Sequence, residues 1–68
     1  MAHFIRIDLL EDLGQMKINI NNVTAVSLDI GEDGRKRVTI SFNDNSDIGL
    51  IENIHILDAN YVFNKFPC

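Results

Sequence analysis

"DIGEDGRKR", Asp29 to Arg37, sets three acids, two glycines and three consecutive bases between two runs of alternating apolar residues. It can be read as a metal loop, a phosphate cradle or the tip of a hairpin, and the choice decides the fold. A calcium loop needs oxygen ligands at positions 1, 3 and 5, glycine at 6 and a carboxylate at 12. Counted from Asp29, Asp33 and Gly34 fit, but Gly31 and Ile40 stand where ligands are required. "NDNSD", from Asn43, fails in the same way, with Ile48 for the glycine and Ile54 for the last carboxylate. Gly31 and Gly34 lack the lysine and hydroxyl of a Walker loop and the third glycine of a dinucleotide loop. A KH-type G-x-x-G carries basic residues between helices, whereas Glu32 and Asp33 lie here between strand patterns. Asp33-Gly34 flanked by alternating apolar residues is a hairpin signal, expected to be a tight turn with both central residues at positive φ. Arg35, Lys36 and Arg37 are then a solvated stretch of strand, neutralised in part by Asp29, Glu32 and Asp33, which also guards against edge pairing.

The same alternation runs outward in both directions. His3 to Leu10 places Ile5, Ile7 and Leu9 on one face, the period-two signature of a half-buried strand. Glu11 to Gln15 is a turn around Gly14. Met16, Ile18 and Ile20 continue the pattern to an Asn-rich bend at Asn21 to Val23, after which Thr24 to Ile30 forms a longer strand with Val26, Leu28 and Ile30 on one face. Arg35 to Asn43 sets Val38, Ile40 and Phe42 on one side, and Asn43 to Ser46 is a second polar turn. Ile48, Leu50, Ile54 and Ile56 extend the alternation as a further strand. Asp58 is a helix cap, because Ala59, Val62, Phe63 and Phe66 follow at helical spacing, and Pro67 would end the segment as a short helix or tail. The fold class is mainly β: a small antiparallel β-meander or β-roll of four to five strands with a short C-terminal helix or tail, in one domain over residues 1–68.

The chain has 68 residues, 46% hydrophobic and 24% charged, rich in isoleucine, with one cysteine at Cys68 and a net charge of −4. A core of this size supplies roughly 3–5 kcal/mol and no internal disulfide can add to it, so self-association is the expected source of further buried surface. The acidic balance disfavours nucleic acid and anionic membranes as partners. No apolar run reaches membrane-spanning length and "MAHFIRIDLL" lacks the features of a signal peptide, so a cytoplasmic location is expected. The single thiol agrees with that.

Catalytic and cofactor chemistry finds little support. Cys68 is terminal, His3 and His55 are far apart, and His55 is expected on the exposed face of a strand. Ser27, Ser41 and Ser46 have no nucleophile elbow, and the carboxylate pairs Glu11-Asp12 and Glu32-Asp33 sit in turns where solvent keeps them ionised. No enzyme activity, cofactor or metal is expected. Phe42, Phe63 and Phe66 fall in register with core positions, leaving Phe4 and Tyr61 as exposed anchors.

Ile18 to Asn45 resembles the β-meander of small flagellar FlbD-type proteins and of short phage or prophage proteins, which implies a short strand, a bend and a hairpin. Ile48 to Leu57 resembles the last motif of Sm-like RNA-binding folds. Neither resemblance transfers a functional residue. The leading expectation is a non-enzymatic protein–protein interaction module, a homo-oligomer using Phe4, Tyr61 and the tip residues Glu32, Asp33, Arg35, Lys36 and Arg37. The alternatives are an acidic phage-type inhibitor presenting Asp29, Glu32, Asp33, Asp44 and Asp47 in place of phosphates, and an Sm-like or single-strand RNA binder using Arg35, Lys36 and Arg37.

Overall fold

A computed structural model describes residues 3–10 and 12–66. The expectations attached to Glu11, Pro67 and Cys68 lie outside the described residues. Five strands and one helix follow in order: β1 (Phe4–Asp8), β2 (Gln15–Asn19), β3 (Val23–Ile30), β4 (Lys36–Phe42), β5 (Asp47–Ile51) and α1 (Ala59–Asn64). The fold is mainly β and antiparallel, as the alternation implies, but the strands divide into two sheets, β1-β2 and β3-β4-β5. The division falls at the Asn-rich bend. Ile20–Asn22 forms a single 3-10 turn, with the Asn19 side chain accepting a hydrogen bond from the Asn21 N–H at 3.0 Å. The turn redirects the chain, so β2 and β3 do not pair.

Period-two faces from both sheets meet in one apolar core. Ile7 and Ile18 come from the first sheet, Val38, Ile40 and Leu50 from the second, and Ile56, Ala59 and Val62 from the C-terminal segment. Phe42, Phe63 and Phe66 pack against this cluster while half exposed. α1 lies across β3 and β4. Asp58 caps it as the sequence indicates, its Oδ1 accepting from the N–H groups of Asn60 at 3.0 Å and Tyr61 at 3.4 Å.

The charged stretch is a hairpin, with a different turn from the one expected. Gly34 N–H donates to the Gly31 carbonyl at 3.0 Å, and Gly31 N–H donates to the Arg35 carbonyl at 2.8 Å. Gly34 alone within this loop has a positive φ, +83°, so Asp33 stays in the ordinary region. This is a three-residue loop, a regular turn followed by a left-handed residue, rather than the two-residue mirror turn. The Asp33 side chain favours it by accepting from the Arg35 N–H at 3.0 Å. The β4–β5 loop repeats the plan: Asn45 takes φ +70°, and Asp44 Oδ1 accepts from the Ser46 N–H at 3.0 Å.

Two further expectations are corrected. The strand read as continuing through Ile54 and Ile56 ends at Ile51, and residues 52–58 turn back with Asn53 at φ +72°. Ile54 is exposed there, Ile56 is buried, and His55 is half-buried in a turn instead of exposed on a strand. Ile30, expected with Val26 and Leu28 on the covered face, is 68% exposed because α1 does not reach that end of β3.

Replacing Asp58 by alanine is expected to lower unfolding stability by about 1 kcal/mol, and Asp58→Asn, which retains a capping oxygen, by much less. Urea denaturation followed by circular dichroism measures both.

Candidate functional site

The antiparallel ladder fixes which backbone groups point into the sheet and which point out. Residues opposite one another alternate between pairs that exchange hydrogen bonds and pairs that do not. The Gly31 to Arg35 bond sets the phase, and the β3–β4 register runs from there through Asp29↔Arg37, Ser27↔Thr39 and Ala25↔Ser41 as the bonded pairs. Val26, Leu28 and Ile30 therefore aim their N–H and C=O groups away from β4. Lys36 confirms the phase from the other side, since its carbonyl accepts from the Glu52 N–H at 2.9 Å, towards β5. Among the described residues no backbone group pairs with the outer edge of β3.

The opposite edge of this sheet is closed at one end, at one of its three outward residues. By the same alternation Asp47, Gly49 and Ile51 face outward on β5. Ile51 is satisfied internally: its N–H donates to His55 Nδ1 at 3.2 Å, and its carbonyl accepts from the N–H groups of Ile54, His55 and Ile56 at 3.2, 2.9 and 3.3 Å. The β1-β2 hairpin carries charge on its edges, with Lys17 on β2 and an Arg6–Asp8 ion pair at 3.4 Å on β1. Such charges discourage strand addition. β3, "VTAVSLDI", has no lysine or proline and one charged residue, and its single irregularity is a bulge between Val23 and Ala25. It is the longest strand, and its outer edge is open along the regular stretch from Val26 to Ile30.

Beside the open edge lies a mainly apolar groove of about 430 Å³, lined by Ile20, Val23, Val26, Phe63 and Phe66 together with Thr24, Ala25 and Asn64. At the other end of β3 a shallow depression joins Asp29 to Asp33 and Arg37. The tip residues thus sit together: Arg35 Nη1 lies 3.9 Å from Asp33 Oδ2, so part of the basic run is neutralised locally. The bases do not form one patch, because Lys36 alternates with Arg37 along β4 and only Lys36 shares the face of Val38. Phe4 and Tyr61 are both exposed, in two other depressions. Phe4 sits with Arg6 and Lys17, Tyr61 with Asp8 and Leu57. Lys65 Nζ stands 4.8 Å from the Tyr61 ring centre and covers part of that ring. The acids divide likewise, Asp29, Glu32 and Asp33 at one end of β4 and Asp44 and Asp47 at the other. Among the described residues no three metal-ligating side chains come together, and no helix is long and apolar enough to cross a membrane.

An open strand edge is expected of so small a sheet, but which strand carries it is not legible in the sequence, because that depends on which strands pair, whereas periodicity reports which residues face the core. The signal present in the sequence was the sparseness of charge, one residue in the eight from Val23 to Ile30.

No family profile, curated protein or solved structure matches the chain. The likeness of Ile18 to Asn45 to FlbD-type meanders therefore rests on its strand pattern.

The β4–β5 turn has one electrostatic consequence. Hydrogen bonds from the Ser46 hydroxyl and then from its N–H hold Asp44 below the ordinary value of 3.8. A carboxylate lowered on folding contributes stability that is present above its unfolded value and lost as pH falls through the folded one. A carboxyl-detected NMR titration is expected to place the Asp44 midpoint below 3.8, and Ser46→Ala is expected to move it upward.

Proposed function

We propose that this chain is a small, non-enzymatic protein–protein interaction module that associates with itself by strand addition. The observation that carries the reading is the unpaired outer edge of β3 beside the groove of Val26, Phe63 and Phe66. A strand added to an open edge gains main-chain hydrogen bonds, while pockets for alternate side chains set the choice of partner. Each bond contributes about 0.5–1.5 kcal/mol net, and the groove adds apolar burial to a core that holds eight buried side chains among the described residues. The tip residues Glu32, Asp33, Arg35, Lys36 and Arg37 serve as further contact points at the Ile30 end of this edge, and Phe4 and Tyr61 as contact points on other faces. A cytoplasmic setting goes with the proposal, supported by the single cysteine in the sequence. The acidic-inhibitor and RNA-binding alternatives draw less support, since the acids are divided between two ends of the sheet and the bases between two faces.

Sedimentation equilibrium over roughly 1–500 µM, a range chosen to bracket weak association, is expected to show the mass rising from monomer to dimer. A chemically synthesised chain with N-methyl-Leu28 loses one outward donor and blocks the edge without changing a side chain. It is expected to remain monomeric with an unchanged melting temperature at low concentration. A monomer throughout the range in the unmodified chain contradicts the proposal.

A further inference from the structure

We infer that the occupant of the β3 edge is a second copy whose own β3 runs antiparallel about a two-fold axis at Leu28, so that Ile30 of each chain enters the groove beside the partner's Val26. This deepens the self-association reading and rests on it.

Two-fold strand pairing places one residue opposite its own copy, and the remaining pairs follow from that centre. An axis at Asp29 sets two carboxylates against each other, and like charges directly opposite are destabilising. An axis at Val26 or Ser27 drives Leu28 or Ile30 against the partner's Thr24, at the bulge, where the ladder loses its regular alternation. An axis at Ile30 carries the acidic tip residue Glu32 into the pairing, opposite the partner's Leu28. Leu28 keeps every pair from Val26 to Ile30 inside the regular stretch. Ser27 then faces the partner's Asp29, a hydroxyl donor opposite a carboxylate, and about six main-chain hydrogen bonds form, two at each pair of outward residues.

The side chains agree with the same centre. Val26, Leu28 and Ile30 share one face of β3, the face on which α1 lies. At the Val26 end Phe63 and Phe66 stand over that face with a groove between them and the strand. At the Ile30 end nothing stands over it, and Ile30 is 68% exposed. Antiparallel pairing about Leu28 brings the uncovered end of each copy to the grooved end of the other. Cβ atoms of opposite residues lie about 4.5–5.5 Å apart in such pairs, which sets Ile30 against Val26 at packing distance. The strand is self-complementary end to end: an apolar knob at one end, a partly filled apolar groove at the other, and no like charges opposed between them.

The test is disulfide mapping of the register in a Cys68→Ser background, which removes the one natural thiol. Ser27 and Asp29 belong to the outer non-hydrogen-bonded set, where Cα atoms approach to about 4.5 Å, within disulfide range. On mild oxidation, a mixture of the single variants Ser27→Cys and Asp29→Cys is expected to give the mixed disulfide at least roughly tenfold over either symmetric one, the ratio set by geometry that suits one pairing and not the others. A predominant symmetric Ser27→Cys product moves the axis and overturns the inference. Absence of cross-linking, while sedimentation of the unsubstituted chain still shows a dimer, overturns the inference and leaves self-association standing. A monomer overturns both. In parallel, Ile30→Lys alters a side chain exposed in the monomer and is expected to weaken dimerisation by roughly tenfold or more, as loss of a buried isoleucine implies; an unchanged affinity overturns the inference.

Discussion

The hydrogen bonds that gather around Ile51 govern how the rest of the chain is arranged. Its N–H is taken by His55 Nδ1 and its carbonyl by three successive backbone N–H groups, which ends β5 and turns the chain inward. From that turn Ile56 enters the core and Asp58 arrives where it can cap α1. Glu52 strengthens the arrangement, its Oε2 accepting from the Ala59 N–H at 2.8 Å. The Leu10 N–H, donated to the His55 carbonyl at 3.0 Å, ties the first hairpin to the same turn. One short segment thus joins both sheets and the helix. By consuming the outward groups of Ile51 it also closes one end of the β5 edge, whereas the outer edge of β3 carries no such internal bond among the described residues.

Much of this architecture is legible in the sequence, because burial on one face of a strand imposes a period of two. Ile5, Ile7, Ile18, Val38, Ile40 and Leu50 all face inward as their alternation indicates. The hairpin at Asp33-Gly34 is equally plain, while its turn type is not, since a single left-handed residue suffices when Asp33 can accept from the Arg35 N–H. Ile54 and Ile56 show how the period misleads: their spacing continues the strand by coincidence, and the turn exposes one and buries the other. Helix length explains Ile30. α1 has six residues, about 9 Å at 1.5 Å per residue, too short to cover an eight-residue strand.

The candidate site was less legible. Chemical contrast points to the tip residues Glu32 to Arg37, to Phe4 and to Tyr61, and the structure places Glu32, Asp33 and Arg37, Phe4, and Tyr61 in three separate shallow depressions. An open edge consists of main-chain groups that every residue possesses, so residue type scarcely marks it. What marks β3 is the combination of length, position at the rim of its sheet and a regular stretch from Val26 to Ile30 with one charged residue. A small apolar core and an exposed ladder belong together physically. A chain that buries little on its own gains most from joining its sheet to another.

Residue-resolved amide hydrogen exchange across β3, followed against concentration, tests the open edge most directly. In dilute solution the amides of Ser27 and Asp29, which bond to β4, are expected to be protected, and those of Val26, Leu28 and Ile30 to exchange rapidly. As concentration rises the second set is expected to become protected while the first changes little. Protection of Val26, Leu28 and Ile30 at high dilution, or their rapid exchange at every concentration, would contradict an edge that stands open in the monomer and is closed by a second copy.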